Sequence, residues 1–273
     1  MKSFPLLLLL TSAVTAYGSD TLATLAPAPQ RIKPFVITKK RDIPILGAGI
    51  VSALGAFALE RSIAPLRQEE IDGLVRNSVN PFDRHTTYHY SKTIDDISDI
   101  LVDGVLAAPF TLLTDRKIRR TAAAFSLMYA EVVAFSYALP TLGKTFIKRP
   151  RPFVYNPDAP PAEKLLADAR ASFFSRHTTF AFASACFMST VYGDYHPGSK
   201  LNPYIWAGSL GAASIVGYLR FEAGAHFPTD VLTGALAGTI VGCGVPFLHK
   251  SKNSGVHFSI NPFGNSLCLS LEW

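Results

Sequence analysis

Apolar stretches about as long as one helix recur along this chain. They are Ile43–Leu59, Ile100–Leu113, Thr121–Leu139, His177–Tyr192, Pro203–Leu219 and Val231–Leu248, separated by polar connections. None alternates strictly and each exceeds the length of an ordinary strand, so the pattern predicts six helices. In the last stretch Gly234, Gly238 and Gly242 stand four apart, a flat stripe that lets a neighbouring helix approach closely. A membrane span takes about 20 apolar residues, with about 17 at the low end. Several stretches are shorter, and Asp103 and Glu131 interrupt two of them. The expectation is an all-α bundle of six helices over residues 43–250, membrane-embedded, with a soluble helical bundle as the other reading.

The two ends of the chain differ from this pattern. Lys2, the apolar run Phe4–Leu10 and the small residues Val14 and Ala16 predict a secretory signal peptide over residues 1–16, cut after Ala16. A short membrane anchor is the other reading. Residues 17–42, rich in Ala, Pro, Lys and Arg, read as a linker or arm. Over residues 251–273, Leu267, Leu269, Leu271 and Trp273 alternate with polar or small positions, predicting a β-hairpin tail that turns at Pro262–Asn265. One hairpin cannot close an outer-membrane barrel.

Composition agrees with the pattern. Hydrophobic residues make up 48% and charged residues 17% of the chain, against about 25% charged in soluble domains. The net charge of +6 is scattered, with no basic run flanked by stacking aromatics, which argues against a nucleic-acid partner. Cys186, Cys243 and Cys268 have no metal-ligand spacing and read as buried small hydrophobes. The basic loop Asp115–Arg120 (DRKIRR) marks a cytoplasmic side, which puts residues 140–176 outside. A leader cut after Ala16, followed by one crossing at 43–59, would reverse that orientation. The conflict disappears if 43–59 lies on the membrane or packs on the bundle without crossing. The expected location is a bacterial-type cell envelope, in the inner membrane with a periplasm-facing site; a soluble periplasmic protein is the alternative.

Three polar clusters stand at the ends of these apolar stretches: Lys144 with Arg151-Pro152; Ser175-Arg176-His177; and Arg220 with His226 and Asp230. Three permanent cations suit a multivalent oxyanion, because guanidinium forks match phosphate oxygens. Backbone N–H groups at the start of the helix after His177 add to such a site. Two histidines allow a nucleophile and a proton donor near neutral pH. If Pro228 opens a helix, Asp230 reaches back toward His226 and fixes its tautomer. Elsewhere, His85 and His89 stand four apart without an evident third ligand, so a polar loop is the better reading there. Asp103 and Glu131 are either functional or ordinary helix contacts.

The order Lys-x6-Arg-Pro, Ser-x-His, Arg-x5-His-x3-Asp resembles the type 2 phosphatidic acid phosphatase (PAP2) and vanadium haloperoxidase superfamily, over roughly residues 95–250. The resemblance implies a PAP2-type helical phosphatase that needs no metal or cofactor. It implies His226 as the nucleophile that forms a phosphohistidine, His177 as acid and then base, and Asp230 as the group orienting His226. It implies Lys144, Arg151, Ser175 and Arg220 as holders of the phosphoryl oxygens, with Arg176 as a possible further cation. The implied substrate is a phosphomonoester or pyrophosphate on a lipid, or a small phosphomonoester. Two positions depart from the family pattern. Arg176 stands where glycine is usual and is costly there if φ is positive, and Leu219 stands where serine is usual. A haloperoxidase and a non-catalytic lipid-phosphate binding protein are the remaining alternatives.

Overall fold

The computed structural model describes residues 34–251. The leader, most of the arm, the hairpin tail and Cys268 lie outside them. The described chain is mostly helical. The long helices are α1 (Lys39–Glu60), α2 (Lys92–Ala107), α3 (Ala122–Ile147), α4 (Arg176–Tyr195), α5 (Asn202–Glu222) and α6 (Pro228–Leu248), with short helical turns between them. The strand-like pairing among the described residues is an isolated bridge between Phe35 and Lys250.

α4 is the central helix and packs against α2, α3, α5 and α6. Phe125, Met128 and Val132 of α3 meet Phe187 and Val191 of α4 and Val241 and Val245 of α6 in the main core. A second cluster joins Val102 and Val105 of α2 to Ala181 and Ala185 of α4 and Ala213 and Val216 of α5. Consecutive long helices run in opposite directions. The C-terminal end of α1 therefore meets the N-terminal end of α4 through Glu60 and Arg176. The C-terminal end of α5 meets the N-terminal end of α2 through Arg220 and Asp95. At the far end His196 pairs with Asp115, and Lys250 with Asp194.

The two faces of α6 show why it stands where it does. Gly234, Gly238 and Gly242 face α4; a Cβ built at Gly234 would lie 2.7 Å from the Ser175 carbonyl oxygen, and the other two would meet the Thr179 and Ala183 carbonyls more closely still. The expected close approach is therefore real. Gly242→Ala should cost about 1–3 kcal/mol through overpacking against backbone that cannot yield, read as a lower midpoint of thermal unfolding in detergent. On the opposite face Leu232, Leu236 and Ile240 are exposed. Such a stripe suits a lipid-facing surface.

Among the described residues, four segments are long and apolar enough to cross a membrane: Lys39–Glu60, Lys92–Thr114, Ala122–Tyr155 and Pro228–Leu248. α4 and α5 are not among them, and α4 owes its polarity to Thr178, Thr179, Ser184 and Ser189, all buried. α1 lies along α3, with the Gly49 face against Ala134 and Phe135 and Glu60 hydrogen-bonded to Tyr137. α1 thus runs the length of the bundle instead of capping it.

Glu131 is fully buried, and His249 Nε2 lies 3.4 Å from both Glu131 Oε2 and Asp42 Oδ1, joining α1, α3 and the end of α6. Asp103 is exposed on α2. His85 and His89 lie in and just after a short turn, their rings packed edge to face at 5.0 Å.

Candidate active site

The antiparallel order gathers the three polar clusters at one end of the bundle. α3 runs through Pro140, so Lys144 lies in its last turn, 2% exposed and in no ion pair among the described residues. Lys148 then ends the helix in the left-handed region at φ 49°. An extended Pro150 stretch follows, in which the Arg151 N–H donates to the Ala169 carbonyl and the Ser172 N–H to the Arg149 carbonyl. The buried Arg151 guanidinium donates to the Asp168 carboxylate at 2.6 Å and to the Asp168 carbonyl at 3.0 Å.

Ser175 caps α4. Its Oγ accepts from the Thr178 N–H at 3.3 Å and the Thr178 hydroxyl at 2.8 Å. Its own N–H donates to the Asp230 carbonyl, which ties the starts of α4 and α6 together. Arg176 is the first residue of α4, and among the described residues Lys148 is the non-glycine with positive φ. Arginine is therefore unstrained where glycine was expected. Its guanidinium is turned to Glu60, at 3.1 Å, and stacks over the Tyr137 ring. In the resting protein it bridges the start of α4 to the end of α1.

His177 Nε2 lies 2.8 Å from Asp99 Oδ1. A carboxylate only accepts, so this nitrogen carries a proton. Arg220 is buried and donates to Asp95, to the Ser98 hydroxyl at 2.8 Å and to Asp99 at 3.4 Å. Beyond it the chain turns through Gly224 at φ 70°, where any Cβ would strike the His89 carbonyl. The Arg220 carbonyl then accepts the N–H groups of Ala225 and His226.

His226 is 0% exposed. Its Nδ1 lies 2.8 Å from the Ser172 carbonyl. A carbonyl cannot donate, so Nδ1 carries the proton and the neutral ring keeps its lone pair on Nε2. That nitrogen has no hydrogen-bond partner among the described residues. Asp230 Oδ2 is 3.8 Å from Nδ1 and instead accepts from the Ser172 hydroxyl at 2.5 Å and the Phe227 N–H at 3.0 Å. The expected direct Asp230–His226 hydrogen bond is thus routed through residue 172.

Burial and the cations of Arg151, Lys144 and Arg220 hold His226 well below its ordinary value of 6.5. Burial and the Arg220 cation act likewise on His177. For Asp168, burial opposes ionisation, but the charges of Arg151 and Lys144 prevail and bring it down to about 2. One set of cations thus acts on both imidazoles. The carboxylates of Asp95, Asp99 and Asp168 were not anticipated; for the first two, the polar opening of α2 hides its helical period. A cavity of about 260 Å³ opens beside Arg151 and Asp168, between Tyr90, Phe153 and Leu166.

A model of the PAP2 superfamily matches residues 125–253. These residues belong to that superfamily. The matched range takes in Lys144, Arg151, Ser175, Arg176, His177, Arg220, His226 and Asp230. Among solved structures, Aquifex aeolicus LpxE is similar at 26% identity over 59% of this chain and 90% of its own, with a TM-score of 0.41. The first transmembrane PAP2 type phosphatidylglycerolphosphate phosphatase from Bacillus subtilis is similar at 20% identity over 75% of this chain and 94% of its own, with a TM-score of 0.38. No curated protein matches the sequence.

Proposed function

We propose that the protein is a membrane-embedded phosphatase of PAP2 type, its long helices forming one six-helix bundle, acting on a phosphomonoester or pyrophosphate carried by a lipid. The observation that carries this reading is the buried His226, with Nδ1–H held by the Ser172 carbonyl and an unpartnered Nε2 beside Lys144, Arg151 and Arg220. The Nε2 lone pair attacks phosphorus, and the bond to the leaving oxygen breaks. The three cations take up the charge that spreads over the phosphoryl oxygens. With the phosphoryl dianion bound, His177 enters the step as the imidazolium, passes its Nε2 proton to the leaving oxygen and is left as the neutral ring. His177 then takes a proton from water, whose oxygen attacks the phosphohistidine and frees His226. In the resting protein Asp168, Asp95 and Asp99 balance the cations, and an arriving phosphoryl group replaces their contacts.

The lipid assignment is supported by the four apolar spans and the exposed stripe on α6. The regular hydrogen bonds made by Arg176 remove the main motive for a non-catalytic protein. A phosphate-release panel tests the function: lipid phosphates in mixed micelles should be cleaved faster than soluble monoesters. Equal rates on both would remove the lipid assignment, and no release from either would remove the function.

Because His226 is held below 6.5, its lone pair survives into acid. The acid limb of kcat/KM should therefore lie below pH 6.5, and a limb above it would contradict the buried, cation-flanked imidazole.

Orientation follows from charge. Lys39, Lys40 and Arg41 open α1 and Arg116, Lys117 and Arg119 precede α3, at the end opposite the site. α3 alone, with 26 residues, is about 39 Å long at the helical rise. The positive-inside rule therefore supports a site facing the periplasm. A cysteine at Lys117 should react with impermeant reagents only after the membrane is opened, and one at Asp158 in intact cells. An inside amino end of α1 and a leader cut after Ala16 exclude each other, and the same labelling decides between them.

A further inference from the structure

We propose that Arg149 is a positioning residue for His226, acting from behind the imidazole through Asp230 and Ser172; this rests on His226 being the nucleophile. Arg149 and Arg151 flank Pro150 in an extended stretch, where alternate side chains take opposite faces. Arg151 enters the cation cluster, while Arg149 turns the other way. Its Nη1 donates to Asp230 Oδ1 at 2.8 Å and to the Thr229 hydroxyl at 2.9 Å, and its Nη2 to Asp83 Oδ2 at 2.8 Å. Its guanidinium carbon lies 3.8 Å from the centre of the Phe227 ring, next to His226.

Asp83 and Asp230 are both 0% exposed, and Arg149 is the permanent cation paired with each among the described residues. Asp83 is further fixed by the Thr229 hydroxyl at 2.6 Å and the Asn80 amide at 2.7 Å. With Oδ1 held by Arg149, Asp230 turns Oδ2 to the Ser172 hydroxyl. Ser172 in turn offers its carbonyl to His226 Nδ1, and its N–H is held by the Arg149 carbonyl. Arg149 therefore grips residue 172 from both its side chain, through Asp230, and its backbone. Its guanidinium also holds Asp230 with Oδ2 3.8 Å from Nδ1, outside direct competition for the Nδ1 proton. Lys144, Arg151, Arg220 and Asp168 act on the ring from the other elements. Without Arg149, Asp230 is the less compensated neighbour and favours the imidazolium. His226 then protonates at higher pH.

The test uses the full chain in detergent, with Arg149→Gln and Arg149→Lys. For Arg149→Gln, kcat should fall about 10–100-fold, the scale seen when a group orienting a ligating or reacting histidine is lost. KM and inhibition by inorganic phosphate should stay within about threefold, and the acid limb should move upward. Lysine reaches one carboxylate but not both, so Arg149→Lys should recover part of kcat. An unchanged kcat and acid limb in folded Arg149→Gln would overturn the proposal. So would equal losses of kcat and phosphate affinity, which mark a structural role only. The ¹⁵N-histidine spectrum, assigned with His226→Ala, reads the tautomer and titration of His226 without turnover. A parent that releases no phosphate yet shows the shift in Arg149→Gln refutes the nucleophile and keeps the positioning. An active parent with no shift does the reverse.

Discussion

Replacing His226 by alanine should lower phosphate release by about 10⁴-fold or more, because the loss removes the bond-forming atom and not merely a contact. Every other group in the cluster holds charge or moves a proton. Partial losses are expected from those, but only a residue background from His226→Ala. Binding should survive better than turnover, since Lys144, Arg151 and Arg220 remain to hold the oxyanion. Inorganic phosphate should therefore still bind the variant, measured as protection against thermal unfolding. The same variant leaves a small void where a buried ring stood, so its unfolding midpoint is the control for a damaged fold.

Lys144→Met should separate stability from activity in the opposite sense. Lys144 is 2% exposed and makes no ion pair among the described residues. A buried cation beside other cations is costly, and an apolar chain of similar length removes that cost. The unfolding midpoint should hold or rise, while kcat/KM falls about 10²–10³-fold, the scale for loss of one transition-state charge contact. A fall in both would mean that Lys144 belongs to the framework and not to the anion site. A buried cation with no ion pair breaks a rule of folding, as functional positions are expected to do.

Much of this arrangement was legible in the sequence, and its gaps have physical causes. The glycine stripe Gly234, Gly238 and Gly242 announced the α4–α6 contact because only a missing Cβ permits backbone at that distance. The three clusters were legible because each keeps its residue types at fixed spacing beside a helix end. The start of α2 was missed: Lys92–Asp99 is polar on the side that faces Arg220 and His177, so apolar periodicity begins only at Ile100. The end of α3 was drawn at Leu139 because Pro140 ordinarily stops a helix, yet the helix continues to Ile147 and carries Lys144. α1 was expected to lie beside the bundle without crossing, on the strength of the leader. It is nonetheless one of the four described helices long and apolar enough to cross a membrane, and it lies along α3.

The side chains around the oxyanion site were harder to read. Nothing local marks Asp168 as the partner of Arg151, since the two stand 17 positions apart along the chain. Ser172 accepts the His226 proton through its backbone, which no residue type encodes. Arg176 could be read either as a phosphate ligand or as a strained substitution, and its actual partner, Glu60, is 116 residues away.

The measurement that bears most directly on the central claim is a rapid quench of the enzyme with a ³²P-labelled substrate, followed by mass spectrometry of the labelled peptide. A phosphoryl group that is stable to base, labile to acid and carried on the His226 ring is the predicted result. Turnover in the parent with no label on His226, or the same label retained in His226→Ala, would contradict it.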